Sequence, residues 1–373
     1  MGWRSARQIE TLTAMFTVQD ETLMTRALHL AQQGLYTTDP NPRVGCVLVR
    51  NGEVVGEGWH RKAGEPHAEA LAVRLAGERA RDATAYVTLE PCSHHGRTPP
   101  CADALIAAGI KRVIVAMIDP NPLVSGKGLD KLREAGIEVR SGLLQSQAEA
   151  LNAGFAKRMR TGMPLVRVKL GSSLDGRTAL ANGVSQWITS DAARADVQHW
   201  RARSSAVMTG VGTILADDPQ LNVRSPDIDM LGRQPVRVIC DSHLRTPASA
   251  KAVQNQGALI YTTVAPSPRG HAEIIQLQGD SQQVSLDGVL RDLGARGCNE
   301  VLVEAGATLT GRLFELQCVD EVLLYLAPVL LGPDARPLLQ LPAINSMQQR
   351  IELVLTGTHP IGSDVRLLYR VKR

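Results

Sequence analysis

Apolar residues at Leu23, Ala27, Leu30 and Ala31 recur at helical spacing, and Gly34 ends the run, so residues 21–35 are expected to form a helix. Thr37-Thr38-Asp39-Pro40-Asn41-Pro42 follows as a loop, because two prolines remove backbone donors. The apolar run 44–49 is joined to residues 53–58 by Asn51-Gly52, a strong hairpin signal. A helix should start near Pro66, with an apolar stripe of Ala68, Leu71, Ala72, Leu75 and Ala76 and with His67 and Glu69 in its first turn. Then come a buried strand at 85–89, a helix from Cys101, a strand at 111–118, a helix at 127–135 and a short strand at 137–139. A hairpin followed by alternating helices and strands predicts a three-layer α/β/α domain.

Between residues 150 and 164 the pattern turns basic and irregular, and a domain boundary is expected near 160. Beyond it the pattern predicts strands at 165–170, 206–209, 236–241, 259–262, 300–304, 321–327, 351–355 and 365–370. Ser190 is placed to cap a helix reaching Arg203. This second half reads as a mixed α/β sheet. Residues 1–20 show weak periodicity and are expected to be an extension, leaving 21–160 and 161–373 as the two domains.

Composition alters this picture little. At 373 residues the chain is long enough for two cores, and its net charge of +4 is spread without long basic runs, which argues against a dedicated nucleic-acid binder. No stretch of about 18 apolar residues occurs and no signal peptide is visible, so a soluble cytoplasmic protein with no membrane partner is expected. Six cysteines form no disulfide framework. Cys46, Cys240, Cys298 and Cys318 lie in or beside apolar segments and read as small buried residues.

The remaining two are different. Cys92 should leave the end of a strand, where open α/β sheets bind ligands, and Cys101 should open a helix. With His67 they make a set able to hold zinc while leaving a fourth position for water, and Glu69 stands ready as proton carrier. His-x-Glu followed by Pro-Cys and a second Cys is the pattern of zinc deaminases acting on nucleobases. That pattern usually has two residues between the cysteines, whereas here eight intervene. His94 and His95 lie among those eight and are alternative ligands at this level of reading. In the second half, Gly210-Val211-Gly212 lacks the third glycine of a dinucleotide fingerprint, and Gly306 to Gly311 lacks the Lys-Ser/Thr of a P-loop. What remains there is a strand running into a glycine-opened helix, a weak phosphate signal.

Asn41-Pro42-Arg43-Val44-Gly45, His67-Ala68-Glu69 and the segment from Thr88 through Cys101 resemble the bifunctional deaminase/reductase family of riboflavin biosynthesis, whose own variant is the eight-residue cysteine spacing. Residues 166–179, 185–190, 210–219, Asp241-Ser242 and Val303-Glu304-Ala305-Gly306 resemble that family's reductase half. The resemblance implies a cytidine-deaminase-like domain followed by a dihydrofolate-reductase-like one. It implies Zn2+ on His67, Cys92 and Cys101, with Glu69 catalytic and Asn41 orienting the substrate ring. It further implies NADPH held by Gly171, Trp187, Thr213, Asp217, Ser242, Gly306, Ala307, Thr308, Leu309, Thr310, Gly311 and Arg312. The substrate, a phosphoribosyl pyrimidine, would be held by Ser185, Arg201, Leu221, Arg224, Glu304 and Lys169. Arginine forks at 201 and 224 would suit the ribose phosphate. Competing readings are a deaminase of nucleosides or tRNA with a degenerate second domain, and a metal-stabilised binding protein. Oligomeric state stays open, a homo-oligomer included.

Overall fold

The computed structural model describes residues 16–93, 99–122, 124–279 and 282–372. The chain divides into two compact units, residues 1–161 and 162–373. Among the described residues no helix is long and apolar enough to cross a membrane.

In the first unit, α1 (Val18–Gln32) precedes a hairpin of β1 (Gly45–Arg50) and β2 (Glu53–Trp59). Asn51 and Gly52 both take left-handed φ, 51° and 82°, as the turn between two twisted strands requires. Then follow α2 (Ala68–Ala76), β3 (Thr84–Val87), α3 (Cys101–Ala107), β4 (Arg112–Val115), α4 (Lys127–Glu134), β5 (Glu138–Ser141), α5 (Gln145–Leu151) and α6 (Ala153–Thr161). The sheet order is β2-β1-β3-β4-β5, antiparallel at the hairpin side and parallel from β3 to β5.

Three expectations shift here. The first helix starts at Val18, not at 21, because Thr17 and Asp20 form a reciprocal capping box. Asp20 is also buried, accepting a hydrogen bond from the Tyr86 hydroxyl at 2.7 Å, so residues 17–20 belong to the fold rather than to an extension. Residues 145–161, expected to be irregular from residue 150 on, are helical. Asn152 ties them down: its amide accepts from Arg43 N at 2.8 Å and donates to Arg43 O at 2.9 Å.

The second unit opens with β6 (Leu165–Ser173), β7 (Arg177–Ala179), α7 (Asp191–Arg203), β8 (Ala206–Gly210) and α8 (Val211–Asp217). Ser190 caps α7 as expected, accepting from Ala193 N. It continues with β9 (Val236–Cys240), β10 (Ala258–Thr262), β11 (Glu273–Gln276), α9 (Leu286–Ala295), β12 (Glu300–Val303), α10 (Ala307–Glu315), β13 (Glu321–Ala327), β14 (Arg336–Pro337), β15 (Leu353–Ile361) and β16 (Asp364–Val371). The main sheet runs β11-β10-β9-β8-β12-β6-β13-β16-β15 and is parallel until β16 pairs antiparallel with both its neighbours. Central strands are apolar on both faces, as helix-covered parallel strands should be: β12 is buried at every residue. Of the four cysteines read as buried, Cys46 and Cys298 are; Cys240, the last residue of β9, and Cys318, in the loop between α10 and β13, are partly exposed.

Candidate active sites

The first site is assembled where α2, the chain beyond β3 and α3 meet. Glycines at 56 and 58 let α2 lie close on β2: a Cβ would fall 2.3 Å from Ala72 O at the first and 2.7 Å from Ala68 O at the second. The helix starts two residues later than expected, at Ala68, and His67, expected in its first turn, is instead its N-cap in extended conformation. That conformation turns the imidazole toward the cysteines. His67 Nδ1 lies 3.2 Å from Cys101 Sγ and 3.7 Å from Cys92 Sγ. Cys101 is the first residue of α3, and its N–H donates to Cys92 Sγ at 3.3 Å. All three donor atoms lie within 4.8 Å of one another. Tetrahedral zinc with N and S ligands needs about 3.6–3.8 Å between donors, so the set fits the ion with little adjustment. His94 and His95 lie outside the described residues.

Glu69 sits in the first turn of α2 and is 3 % exposed. Its Oε2 is buried with no hydrogen-bond partner, an orphaned acceptor beside a metal-type donor set. Burial raises its carboxyl to about 7, against opposing help from its own backbone N–H and from His67. The two thiols share a proton: the hydrogen bond from Cys101 lowers the Cys92 thiol to about 4, and the same bond holds the Cys101 thiol up. The bond to Cys92 raises His67.

Asn41 reaches this site through an intermediary. Its Nδ2 lies 3.0 Å from His60 Nε2, while His60 Nδ1 lies 3.3 Å from Pro66 O. A carbonyl can only accept, so the proton sits on Nδ1 and Nε2 accepts from Asn41. Burial lowers the pKa of His60, which suits the neutral ring. Its ring meets His67 edge-on at 5.1 Å. No motif around His60 announces it; only the closing of β2 over α2 brings it in.

The second site is a cleft in the second unit, made of two adjoining parts of about 1270 and 700 Å³ that share Lys169, Gly171, Thr178, Ser185, Thr213, Asp217 and Glu304. The larger part is also lined by Ser242, Gly306, Ala307, Thr308, Leu309 and Arg312. Gly306 is the N-cap of α10, no side chain caps that helix, and a Cβ on Gly306 would meet open space. Uncapped amides facing a cleft suit a phosphate. The smaller part is also lined by Trp187, Arg201, Leu221 and Arg224. Trp187 is 67 % exposed and carries the Arg194 guanidinium 4.2 Å over its ring.

Three residues of the expected set do not behave as expected. Thr310 and Gly311 line neither part: both are buried, and a Cβ on Gly311 would come 2.0 Å from Gln340 O. One helical turn cannot present every residue to one cleft. Arg201 lines the cleft but its fork is taken up, Nε and Nη2 donating to Glu304 at 2.6 and 2.9 Å and Nη1 to Asn222 O at 3.0 Å. The Arg224 guanidinium makes no such bond among the described residues. Burial lowers Lys169, opposed by Glu304 and reinforced by Arg201.

Residues 17–117 match the cytidine and deoxycytidylate deaminase zinc-binding region, and residues 164–367 match the RibD C-terminal domain. The riboflavin biosynthesis protein RibD of Escherichia coli is 50 % identical over 362 residues, covering 94 % of this chain and 99 % of that one. The chain belongs to the RibD family. The RibD of Haemophilus influenzae is also 50 % identical, over 96 % of this chain and 99 % of its own. Among solved structures, Acinetobacter baumannii RibD superposes with a TM-score of 0.90 at 47 % identity, covering 95 % of this chain and 99 % of that one. A Thermotoga maritima protein described as a diaminohydroxyphosphoribosylaminopyrimidine deaminase/5-amino-6-(5-phosphoribosylamino)uracil reductase reaches 0.85 at 35 % identity, over the same shares. As a RibD-family member the chain is a bifunctional enzyme of riboflavin biosynthesis, joining a zinc-binding deaminase to a reductase of the NADPH-dependent kind.

Proposed function

We propose that residues through Thr161 deaminate 2,5-diamino-6-(5-phosphoribosylamino)pyrimidin-4-one and that residues from Gly162 onward reduce the ribosyl chain of the product to the ribitylamino compound. The observation that carries the first half is the orphaned Glu69 carboxylate oxygen beside the His67/Cys92/Cys101 donor set.

His67, Cys92 and Cys101 hold zinc, which supplies Lewis acidity that lowers the pKa of water toward neutrality. Glu69 does the proton work. Burial raises its carboxyl above the ordinary glutamate value, so it is a better base than an exposed glutamate and can both take up a proton and return it. It takes one proton from the water that adds to the ring carbon, returns it to the neighbouring ring nitrogen, and passes the other to the departing amino group, which leaves as ammonia. Asn41, fixed by His60, orients the pyrimidine edge.

In the second unit, NADPH supplies the reducing equivalents. Gly306, Ala307, Thr308 and Leu309 offer their backbone to a phosphate, while Gly171, Thr213, Asp217, Ser242 and Arg312 line the rest of the cofactor cleft. Trp187 closes its lip from the substrate side. Arg224 takes the ribose phosphate, Ser185 and Leu221 flank it, and Glu304 faces the opened sugar beside Lys169. Arg201 holds Glu304 in place. Burial together with the neighbouring Arg201 makes Lys169 a readier proton donor than an ordinary lysine.

Incubating the protein with the diaminopyrimidine phosphate and NADPH tests both halves at once. Ammonia release followed by NADPH oxidation is expected. Ammonia without NADPH oxidation would remove the reductase assignment, and release of ammonia from cytidine or adenosine instead would remove the substrate assignment.

A further inference from the structure

The two thiols of the first site sit on different elements, Cys92 beyond β3 and Cys101 at the start of α3, which are joined directly by two bonds, Cys101 N–H to Cys92 Sγ at 3.3 Å and Ala102 N–H to Cys92 O at 3.1 Å. Two bonds at one point still let the segments pivot, and a brace outside them narrows that freedom. Helix α4 is attached to both segments. Two residues before Cys92, the buried Glu90 carboxylate accepts three backbone N–H groups at and before the start of α4: Asp119 at 3.0 Å, Gly126 at 3.0 Å and Gly128 at 2.8 Å. Hydrogen bonds to an ionised acceptor are the strong class, and a carboxylate at a helix N-terminus also faces the positive end of the dipole. The contact is close-packed: a Cβ on Gly128 would lie 2.0 Å from Pro91 O. At the other attachment, Lys131 of α4 pairs with Asp103 of α3 at 2.5 Å, two residues after Cys101. Between these clamps Leu129 and Leu132 are buried in the core. The Glu90 N–H also donates to Met117 O, tying the Cys92 segment to the chain beyond β4.

We propose that Glu90 is a positioning residue for the metal site: by docking the start of α4 onto the Cys92 segment while α4 holds α3, it sets the Cys92–Cys101 spacing and so the zinc affinity. The inference rests on the zinc reading of His67, Cys92 and Cys101. Glu90→Gln keeps the shape but turns an amide N–H₂ toward backbone donors that a carboxylate oxygen satisfied.

The test uses the full-length zinc-loaded protein and a chromogenic chelator. Groups bonded directly to metal ligands set affinity by about 10–100-fold; Glu90 acts on Cys92 and Cys101 only through the backbone, so E90Q is expected to release zinc about fivefold faster than the parent. The cobalt-substituted variant should show shifted d–d and thiolate charge-transfer bands, and its reductase activity should be unchanged. Zinc release within about twofold of the parent with an unchanged cobalt spectrum would overturn the inference, even if E90Q melts earlier. Should E90Q not fold, Lys131→Met removes the surface attachment instead; release should quicken roughly two- to threefold, and an unaltered rate there would overturn it equally. A parent protein that takes up no stoichiometric zinc would sink the metal reading itself, a result distinguishable from either.

Discussion

The two sites solve opposite problems. In the first, the working atoms lie close together: three donors within 4.8 Å and an orphaned, buried carboxylate oxygen. In the second, a broad cleft spreads its polar groups along two adjoining parts, and its most buried cation, Arg201, is already committed to Glu304. A small ion and one proton need a compact, preset geometry. A dinucleotide beside a sugar phosphate needs length, open backbone and a few charges left free.

The largest expected effect breaks one site and leaves the other. Glu69→Gln should lower deamination by about 10²–10⁴-fold while zinc content and reduction of supplied 5-amino-6-(5-phosphoribosylamino)uracil stay as they were. Metal analysis and the two assays run on one preparation check this. Loss of both activities in a folded protein would mean the sites are not separable.

Next in size is the Arg201–Glu304 pair. Arg201→Leu leaves the partly buried Glu304 carboxylate without its fork and should destabilise the reductase unit by about 1–3 kcal/mol, because Glu304 also faces the cleft and Lys169 stands near it. Urea denaturation followed by reductase activity should shift to lower concentration, while zinc retention by the deaminase unit stays put. If stability held and only the KM for substrate rose, Arg201 would be a phosphate ligand after all.

Of similar size is a pH dependence of the metal-free protein. The folded-state pKa of Glu69 is raised from 4.5 to about 7, so the folded state holds a proton that the unfolded chain releases. The contribution is fully present below about pH 4.5 and is lost as pH rises through 7. Relative to Glu69→Gln, the metal-free parent should therefore lose about 3 kcal/mol between pH 5 and pH 8. Parallel stability curves for the two proteins across that window would show that the carboxyl is not held neutral by burial.

The same contrast explains what the sequence made legible. His67, Glu69, Cys92 and Cys101 stand in two short motifs near a helix start or a strand end, so local pattern made them a candidate set, and the family resemblance then favoured the two cysteines over His94 and His95. The Asn51-Gly52 hairpin was readable for the same reason. The second site depends on orientation. Residues 306–312 form an unbroken range in sequence, yet helical rotation turns Thr310 and Gly311 away from the cleft. Arg201 and Arg224 look alike as letters, and only the long-range position of Glu304 tells them apart. His60 and Glu90 act through partners distant in the chain, which periodicity cannot report. The helices at 145–161 were hidden because each is short with few apolar residues, and the Asn152–Arg43 bonds that tie them down join positions far apart in the chain.

The cap at the start of α1 bears on how the chain can be shortened. Asp20 closes the first turn of that helix and also receives the hydroxyl of Tyr86, a core residue on β3. A protein begun at residue 16 retains both bonds. One begun at 21, where the helical pattern first becomes visible, would remove Asp20 and with it the acceptor of the Tyr86 hydroxyl in the deaminase core.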